Sequence, residues 1–369
     1  MSNIIHCDGI EIPLTENVSE LFLNKLSILY GETGTGKSSL IKHILNQLHN
    51  EIPVAIVCCP TNDLNQDYNG IFPDQCIHYD LTKELLQKIF SRQTAIMAMY
   101  QLVRSTENLL PLFDLIANAT DREKLEKLTS ILTDAVSKIN SKHDKDEAEM
   151  RIGNITKQYN KKVVKKLRET ISENLSLLIS EFKLTDYQKL ILSNFNINPN
   201  LLLLVDDCAA SIKEWKDLKE TKELFFQGRH FGVTVLFTMQ NESIIPPQFR
   251  QNAHISIFTT EKIVNTYFAK ASTGVSSSER KLVSKIAKVI FADSGNFNKP
   301  NYKKLIMFGP IVKTNHRFQY VIGSNRAKRF GSEAFWKMCH TVKKNDTAAT
   351  STAFNKIFNI KSSPKLEDC

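Results

Sequence analysis

The chain has 369 residues, and 42% of them are hydrophobic, which is enough to bury the core of one large domain or two ordinary ones. Its formal net charge of +9 and its pI near 9.0 favour an acidic partner, such as nucleic acid or an anionic membrane surface. The seven cysteines include no Cys-x-x-Cys pair, and no apolar run approaches the roughly 20 residues of a membrane-spanning helix. The sequence therefore predicts a globular protein with reduced thiols, no zinc site and no transmembrane segment.

The first strongly predicted strand, Leu26 to Tyr30, runs into a loop that matches the phosphate-binding pattern G-x-x-x-x-G-K-[ST]. A chance glycine-rich turn would not be expected between a strand and a helix in this order. The glycines allow backbone N–H groups to surround an anion, and the helix N-terminus adds the positive end of a dipole. Lys37 is expected to reach the β- and γ-phosphates of ATP, and the Ser38 hydroxyl is expected to hold Mg²⁺. The predicted nucleotide-binding residues are Gly31, Glu32, Thr33, Gly34, Thr35, Gly36, Lys37, Ser38 and Ser39.

A second buried strand, Val54 to Cys59, completes the first βαβ unit. From about residue 81 to residue 198 the pattern changes to long helical periodicity with many charges, which predicts a helical insertion in the α/β core. One helix of this insertion has a basic face beside its apolar stripe, made of Lys157, Lys161, Lys162, Lys165, Lys166 and Arg168. Such a face is either a solvated surface or a nucleic-acid contact.

The α/β core resumes with an apolar strand, Leu201 to Val205, that ends in Asp206 and Asp207. Placed beside the phosphate-binding loop, this strand would bring Asp206 to Mg²⁺. Asp207 would then orient or deprotonate the attacking water. An acidic strand end alone is common in α/β proteins, but together with an independent phosphate-binding loop it predicts a hydrolytic site.

The next strand, Val233 to Met239, follows a Gly-Arg-His-Phe-Gly stretch and leads to Gln240. Ligands of open α/β sheets lie at the carboxyl ends of the strands, so the Gln240 amide is placed to bind the γ-phosphate or the water. The alternative is an ordinary polar strand end. Arg229 and Arg250 both lie close in sequence to this edge, and either could be an arginine finger supplied to a neighbouring subunit.

The predicted fold class is α/β, a RecA-like P-loop ATPase core with a mostly parallel sheet. Residues 1–80 and 199–325 are predicted to form the two parts of this core, and residues 81–198 the helical insertion. Two late strands are expected near residues 304–308 and 318–322. Residues 326–369 are predicted to be a basic, partly disordered C-terminal tail.

The order of these motifs resembles the genome-packaging ATPases of nucleocytoplasmic large DNA viruses, which are the poxvirus-type members of the FtsK/HerA superfamily. The resemblance covers Leu26 to Cys59 and Leu201 to Phe258. It rests on the phosphate-binding loop, Asp206-Asp207, Gly-Arg-His-x-Gly before the strand that ends at Gln240, Pro246-Pro247 and the Arg-x-Asn stretch at Arg250.

This resemblance implies a ring-forming homo-oligomeric ATPase that uses ATP and Mg²⁺ to move double-stranded DNA into a capsid. By this resemblance, Arg229 matches the arginine that completes the nucleotide site of a neighbouring subunit more closely than Arg250 does. It also implies a capsid or inner-membrane virion protein as partner, and a location in viral factories of the host cytoplasm and in the virion. The alternatives are another DNA-dependent ATPase or helicase, and a nucleotide-switched scaffold in virion assembly.

Overall fold

The computed structural model describes residues 4–16, 18–141, 144–209, 212–240, 244–270, 276–292, 302–309, 312 and 314–341. The strands are β1 (Ile4–Cys7), β2 (Ile10–Pro13), β3 (Leu26–Tyr30), β4 (Val54–Cys58), β5 (Ile77–His78), β6 (Leu201–Asp206), β7 (Val233–Met239), β8 (Ile255–Phe258), β9 (Lys303–Phe308) and β10 (Phe318–Ile322). The helices are α1 (Val18–Phe22), α2 (Lys37–Leu48), α3 (Asn62–Asn65), α4 (Lys83–Leu102), α5 (Thr106–Ile116), α6 (Ala119–Asn140), α7 (Lys145–Glu173), α8 (Leu175–Glu181), α9 (Asp186–Ser193), α10 (Ile212–Trp215), α11 (Lys219–Gln227), α12 (Pro247–Gln251), α13 (Glu261–Ala269), α14 (Ser277–Phe291) and α15 (Glu333–His340).

The chain forms two compact units. The core unit consists of Met1–Ala95 and Asn198–Cys369, and the helical unit consists of Ile96–Ile197. No helix in the described ranges is long and apolar enough to cross a membrane. The cysteines of these ranges are all free and buried.

An eight-stranded sheet organises the core unit, in the order β10-β9-β8-β3-β7-β6-β4-β5. The strands from β8 to β5 in this order are parallel, and β9 and β10 extend the sheet by antiparallel pairing. The strand before the phosphate-binding loop, β3, pairs with β7 on one side and with β8 on the other. This arrangement confirms the predicted fold class, an α/β RecA-like P-loop core with a mostly parallel sheet.

The central strands are apolar along their whole length because both faces of the sheet are covered. In β3, Ile28 and Tyr30 belong to one hydrophobic cluster, and Leu29 belongs to the cluster on the opposite face. In β4, Ile56 and Val57 divide between the same two clusters. A shift in register by one residue would exchange the two faces, so the packing fixes where each strand ends. The position of the strand ends in turn fixes the candidate site.

The helical unit begins later in the chain than the sequence predicts. The first half of α4 packs in a hydrophobic cluster of the core unit through Leu86, Ile89 and Phe90. Gln93 also donates hydrogen bonds to the carbonyl oxygens of Pro199 and Phe231, at 2.9 and 2.6 Å. The boundary predicted at residue 81 is therefore corrected to residue 96. Helical periodicity marks a buried stripe but does not show which body covers that stripe.

The predicted C-terminal tail also starts too early. Residues 326–341 belong to the core unit, and α15 buries Phe335, Trp336 and Cys339 in its hydrophobic cluster. The indole N–H of Trp336 donates to the carbonyl oxygen of Phe330 at 2.7 Å, and the Ser332 side chain caps the helix. Among the basic residues of the predicted tail that the structure describes, Lys337 lies on the exposed face of this short helix, and Arg326, Lys328 and Arg329 lie exposed in the segment before it. Residues 342–369 lie outside the described residues.

The helical unit has a hydrophobic core of its own, which includes Leu112, Phe113, Leu167, Ile171 and Phe195. These side chains come from α5, α7 and the segment after α9. Apolar residues at three- and four-residue spacing on α7 supply the longest stripe, as its periodicity predicts. The basic residues of α7 must therefore lie beside or opposite this stripe.

Truncation of Phe335, which packs α15 into the hydrophobic cluster of the core unit, tests the corrected C-terminal boundary. Phe335→Ala should lower the free energy of unfolding by about 3 to 5 kcal/mol, because it leaves a cavity in a closed cluster. Lys337→Ala on the exposed face of the same helix should change it by less than about 0.5 kcal/mol. Chemical denaturation measures both. Equal, small effects would return residues 326–341 to a loosely attached tail.

Candidate functional site

The phosphate-binding loop makes a sharp turn between β3 and α2 that depends on glycine. Gly34 and Gly36 have φ angles of 79° and 84°, in the left-handed region that favours glycine. Gly36 directly precedes the first residue of α2. The first-turn N–H groups of a helix have no intrahelical acceptors and carry the positive end of the helix dipole. The turn therefore presents backbone donors to an anion at the carboxyl edge of the sheet.

Gly31 is required for a different reason, which is close packing. A Cβ atom on Gly31 would lie 2.6 Å from Thr259 Oγ1 and 2.9 Å from Lys37 Cγ. Gly31 N–H donates to the carbonyl oxygen of Met239 at 2.9 Å, which holds the loop to the end of β7. Thr259, which follows β8, donates through Oγ1 to Thr35 Oγ1 at 2.8 Å. Both neighbouring strands therefore hold the loop.

The Lys37 ammonium group lies against the loop itself. Its Nζ donates to the carbonyl oxygens of Gly31 and Glu32, at 2.7 and 3.2 Å. Burial lowers the pKa of Lys37, and the nearby charges of Asp207 and Asp206 oppose that shift. These influences place both carboxylates within electrostatic reach of Lys37. The structure therefore brings the predicted lysine and the two predicted acids to one edge of the sheet.

Asp206 is the last residue of β6, but β6 does not lie beside the phosphate-binding loop as the motif order suggests. Strand β7 lies between β3 and β6. Asp206 is 8% exposed, and its carboxylate accepts hydrogen bonds from Tyr68 Oη at 2.7 Å and from Thr238 Oγ1. Burial and the Asp206 charge raise the pKa of Tyr68 well above its ordinary value, so Tyr68 stays a donor. Neutral hydroxyl groups thus satisfy a nearly buried carboxylate.

Asp207 has a left-handed backbone with a φ of 59°, which costs a non-glycine residue on the order of 1 kcal/mol or more. Its N–H donates to Thr238 Oγ1 at 3.2 Å, and its Oδ2 accepts from Gln240 Nε2 at 2.5 Å. Thr238 therefore donates to one acid and accepts from the backbone of the next. The predicted residues Asp206, Asp207 and Gln240 are neighbours because β7 supplies the side chains that join them.

The side-chain oxygen atoms at this edge are suitable ligands for Mg²⁺. Ser38 lies in the first turn of α2, and the Asp206 carboxylate can accept more than the two hydroxyl groups it already binds. No three His, Cys, Asp or Glu side chains cluster as a metal site within the part of the chain that the structure describes. Mg²⁺ in nucleotide sites usually takes one or two carboxylates together with phosphate oxygens and water, so this donor set fits it.

Ser39, the last predicted nucleotide-binding residue, has a side-chain partner within the protein. Its Oγ donates to Asn325 Oδ1, and its carbonyl oxygen accepts from the N–H of Ser324 at 3.2 Å. The segment after β10 therefore packs on the first turn of α2. The Ser39 backbone, rather than its hydroxyl, is left for a nucleotide.

The two candidate finger residues do not lie where their sequence positions suggest. Arg250 is 7% exposed, with its guanidinium carbon 5.9 Å from the ring centroid of Tyr267. A side chain buried in this way is not presented to a neighbouring subunit, so its burial favours Arg229 over Arg250 as the finger. Its burial could not be inferred from periodicity, because α12 has only five residues.

Arg229 is exposed, and it lies at the edge of the sheet opposite to the phosphate-binding loop. It precedes β7, and its charge helps to lower the pKa of Lys25, before β3, and of His254, before β8. Burial is the largest cause for both groups and brings the His254 pKa to about 4. Because parallel strands place all their amino ends at one edge, Arg229 is remote from the site of its own subunit. It can complete only the site of another subunit.

Sequence reasoning missed Tyr68, Thr238 and Thr259. Thr238 and Thr259 carried a signal, since each is a polar residue at the carboxyl end of an apolar strand. Tyr68 carried none, because it reaches Asp206 from a loop after α3 that has no regular pattern.

The family model described as "Helicase HerA, central domain" matches residues 3–213 of the chain. The uncharacterized protein B354L of African swine fever virus (isolate Pig/Kenya/KEN-50/1950) is 26% identical over 344 residues, which cover 90% of this chain and 91% of B354L. The uncharacterized protein L437 of Acanthamoeba polyphaga mimivirus is 19% identical over 236 residues, which cover 64% of this chain and 52% of L437. The structure of the genome packaging NTPase B204 from Sulfolobus turreted icosahedral virus 2 covers 82% of this chain and 98% of its own, with 13% identity and a TM-score of 0.35.

Replacement of the Thr238 hydroxyl tests the arrangement of the acids. Thr238→Val keeps the volume but removes the donor to Asp206 and the acceptor for the Asp207 N–H. We expect ATP hydrolysis to slow by about 10- to 100-fold, as for other groups that orient a metal ligand. Thr234→Val is the matched control, because Thr234 is also buried on β7 and accepts a hydrogen bond, but from Asn24 N–H at 2.8 Å at the opposite edge. Equal turnover in the two variants would remove Thr238 from the site.

Proposed function

The chain belongs to the family of the HerA helicase central domain, within the FtsK/HerA superfamily, and we propose that it is an ATP-hydrolysing motor that moves double-stranded DNA into a viral capsid. The observation that carries the ATPase part is the convergence of Lys37, Asp206 and Asp207 at the carboxyl edge of one parallel sheet. The viral part is supported by the likeness to B354L along nine-tenths of the chain. It is supported further by the motif order described above.

In the proposed reaction, the loop N–H groups and the Lys37 ammonium group bind the phosphates of ATP, and Lys37 exchanges its two carbonyl acceptors for phosphate oxygens. Ser38 and Asp206 would hold Mg²⁺, which neutralises charge on the transferring phosphoryl group when bound. Asp207 orients or deprotonates the attacking water, and the Gln240 amide holds the Asp207 carboxylate in place. Because Gln240 follows β7, hydrolysis can change the contacts at the end of that strand.

The helical unit supplies the proposed DNA contact, but with fewer residues than the sequence indicates. Lys166 forms an ion pair with Asp121 at 2.8 Å, and both side chains are largely buried. Arg168 donates to the carbonyl oxygens of Val103 and Phe195, and its guanidinium carbon lies 4.4 Å from the ring centroid of Phe195. These two cations hold the helical unit together, so they are removed from the proposed DNA surface.

Two of the remaining basic residues of α7 line a cavity of about 680 Å³ within the helical unit. Lys157 and Lys161 line it from α7, and Arg104 lines it from the turn before α5. Ser105 and Thr106 add the N-terminus of α5, which also favours an anion. A DNA phosphate is the proposed occupant, because a motor that moves any genome sequence must contact the backbone and not the base edges.

Two alternative functions use the same nucleotide site but predict different responses to DNA and different turnover. Another DNA-dependent ATPase or helicase would also be stimulated by DNA, but it would separate strands or require single-stranded DNA. A nucleotide-switched scaffold in virion assembly would bind ATP with slow or no turnover. The packaging motor further implies a homo-oligomeric ring, a capsid or inner-membrane virion protein as partner, and action in viral factories of the host cytoplasm and in the virion.

The DNA contact is tested by charge removal in the cavity. Duplex DNA should stimulate ATP hydrolysis without sequence preference, and its binding should weaken with salt. The Lys157→Gln/Lys161→Gln double variant should flatten the plot of log affinity against log salt by about 0.9 for each DNA phosphate that the protein no longer neutralises. Lys165→Gln/Lys189→Gln removes the same charge from exposed lysines that pair with Glu169 and Asp186, and should leave the slope unchanged. Identical slopes for both variants would move the DNA contact away from this cavity.

The proposed finger is tested by mixing inactive subunits. Lys37→Ala and Arg229→Ala should each abolish turnover, since a finger in trans contributes about 10³- to 10⁵-fold. A mixture of the two should regain activity, because an intact loop and an intact Arg229 can meet at one interface. Lys37→Ala mixed with Asp207→Asn is the control, and it should stay inactive, because no subunit then has both residues. Failure of the first mixture to regain activity would leave Arg229 without a role in trans.

A further inference from the structure

Lys304 is a buried lysine near the phosphate-binding loop that the proposed reaction does not use. It is the second residue of β9 and is 3% exposed. The antiparallel register pairs Leu305 with Phe258, so Lys304 lies opposite Thr259. Thr259 is the residue that binds Thr35 of the loop. The pairing of β8 and β9 thus brings Lys304 to the same edge of the sheet as the loop.

The side chain of Lys304 extends to the last glycine of the loop. A Cβ atom built on Gly36 would lie 3.5 Å from both Cε and Nζ of Lys304. Gly36 directly precedes α2, a helix of 12 residues. The ammonium group therefore lies at the helix N-terminus, where backbone N–H groups already favour an anion.

The Lys304 ammonium group has no hydrogen bond or ion pair to any residue that the structure describes, and burial lowers its pKa. Lys37, by contrast, donates to two carbonyl oxygens of the loop. Burial of a charged group without a partner is unfavourable, and an apolar side chain of the same length would fill the position at lower cost. A lysine at this place is explained by an anion that the loop binds.

The order of strands indicates which part of a nucleotide Lys304 would meet. Asp206 and Asp207 approach the loop from the β6 side of β3, across β7, while Lys304 approaches from the opposite side, across β8. The γ-phosphate must lie toward the acids, because these residues act on the bond that breaks. The opposite side of the loop therefore faces phosphates that ATP and ADP have in common.

We propose that Lys304 is a second phosphate-binding lysine, which contacts the α- or β-phosphate of the bound nucleotide beside Gly36. The inference rests on the proposed function only in the assignment of the loop as a nucleotide site, and it does not depend on DNA or on a ring. Lys37 serves the phosphate that is transferred. Lys304 serves the phosphates that remain, so it holds the product ADP as well as the substrate.

The test compares Lys304→Met with Lys303→Met. Methionine keeps the unbranched length and suits a buried position. Lys303 is the adjacent lysine of β9, half-buried, with its Nζ 5.8 Å from the ring centroid of Tyr320. Titration calorimetry with ADP and with a non-hydrolysable ATP analogue gives the affinities, and steady-state kinetics gives kcat and KM. Thermal unfolding without nucleotide reports the fold.

We expect Lys304→Met to lower the affinity for both nucleotides by about tenfold or more, as for removal of a charge-assisted hydrogen bond. KM should rise in parallel, with kcat within about threefold of the unsubstituted protein, since the interaction is equal in the ground and transition states. Without nucleotide its melting temperature should be equal or higher, because an unpaired buried charge has been removed. Lys303→Met should match the unsubstituted protein in every measurement.

Unchanged affinity for ADP in a folded Lys304→Met variant would overturn the inference, and so would a fall in kcat at constant KM. Weaker binding of the ATP analogue alone would overturn the assignment to the shared phosphates. Lys37→Ala separates these outcomes from failure of the nucleotide site, since unaltered nucleotide binding in that variant would place the nucleotide elsewhere. Absence of stimulation by DNA would count against the motor and would leave the Lys304 result intact.

Discussion

The turn from β3 into α2 is the constraint on which the rest of the core unit depends. It leaves helix N–H groups without acceptors at the carboxyl edge of the sheet, and the backbone can reach that conformation only through Gly34 and Gly36. The turn also has to be held, because a loop of this kind has little packing of its own. Strand β7 holds the turn because the Met239 carbonyl oxygen accepts a hydrogen bond from Gly31 N–H. Thr259, the residue after β8, holds it by donating to Thr35 Oγ1. The strand order with β3 between β7 and β8 is therefore part of the site.

A second constraint comes from the acids, since a carboxylate as buried as that of Asp206 needs donors. The structure supplies neutral hydroxyl groups from Tyr68 and Thr238 and keeps Lys37 at a distance, donating to carbonyl oxygens. Hydroxyl donors satisfy the carboxylate without neutralising it, so its charge remains available to a cation. An ammonium group bound directly to Asp206 would compete with that cation. The need to bind the Asp206 carboxylate, and to leave its charge available to a cation, thus explains why the apolar strands β6 and β7 carry polar residues near their carboxyl ends.

The local parts of this architecture could be predicted from the sequence, and the relations between them could not. The phosphate-binding loop and the strand that ends in Asp206 follow from patterns within a few residues. The position of β7 between that strand and β3 depends on a strand order that periodicity does not record, so Asp206 was expected too close to the loop. For the same reason, closeness in sequence to the end of β7 does not show that Arg229 lies at the opposite edge of the sheet. Burial of Arg250 depends on tertiary packing around Tyr267, which short-range patterns do not encode.

The basic face of α7 shows a related limit. Charge patterning identifies lysines and arginines beside an apolar stripe, but it does not show which of them already have partners. In the structure Lys166 and Arg168 are used within the helical unit, while Lys157 and Lys161 surround a cavity. The formal charge of +9 therefore does not show how many cations the protein presents to a nucleic acid.

Strand β7 connects the two edges of the sheet and so would connect two nucleotide sites in a ring. Arg229 precedes this strand at one edge, and Thr238 and Gln240 lie at its other end with the acids. If Arg229 completes the site of a neighbour, each β7 links the site of its own subunit to the next one. All seven residues of β7 are buried between β3 and β6, so it is held as a rigid element. A change in the contacts of Gln240 after hydrolysis would then move β7 as a whole, because this strand cannot easily bend. The movement would reach Arg229 at the other end of β7, and this is a direct physical route by which neighbouring subunits would act in turn.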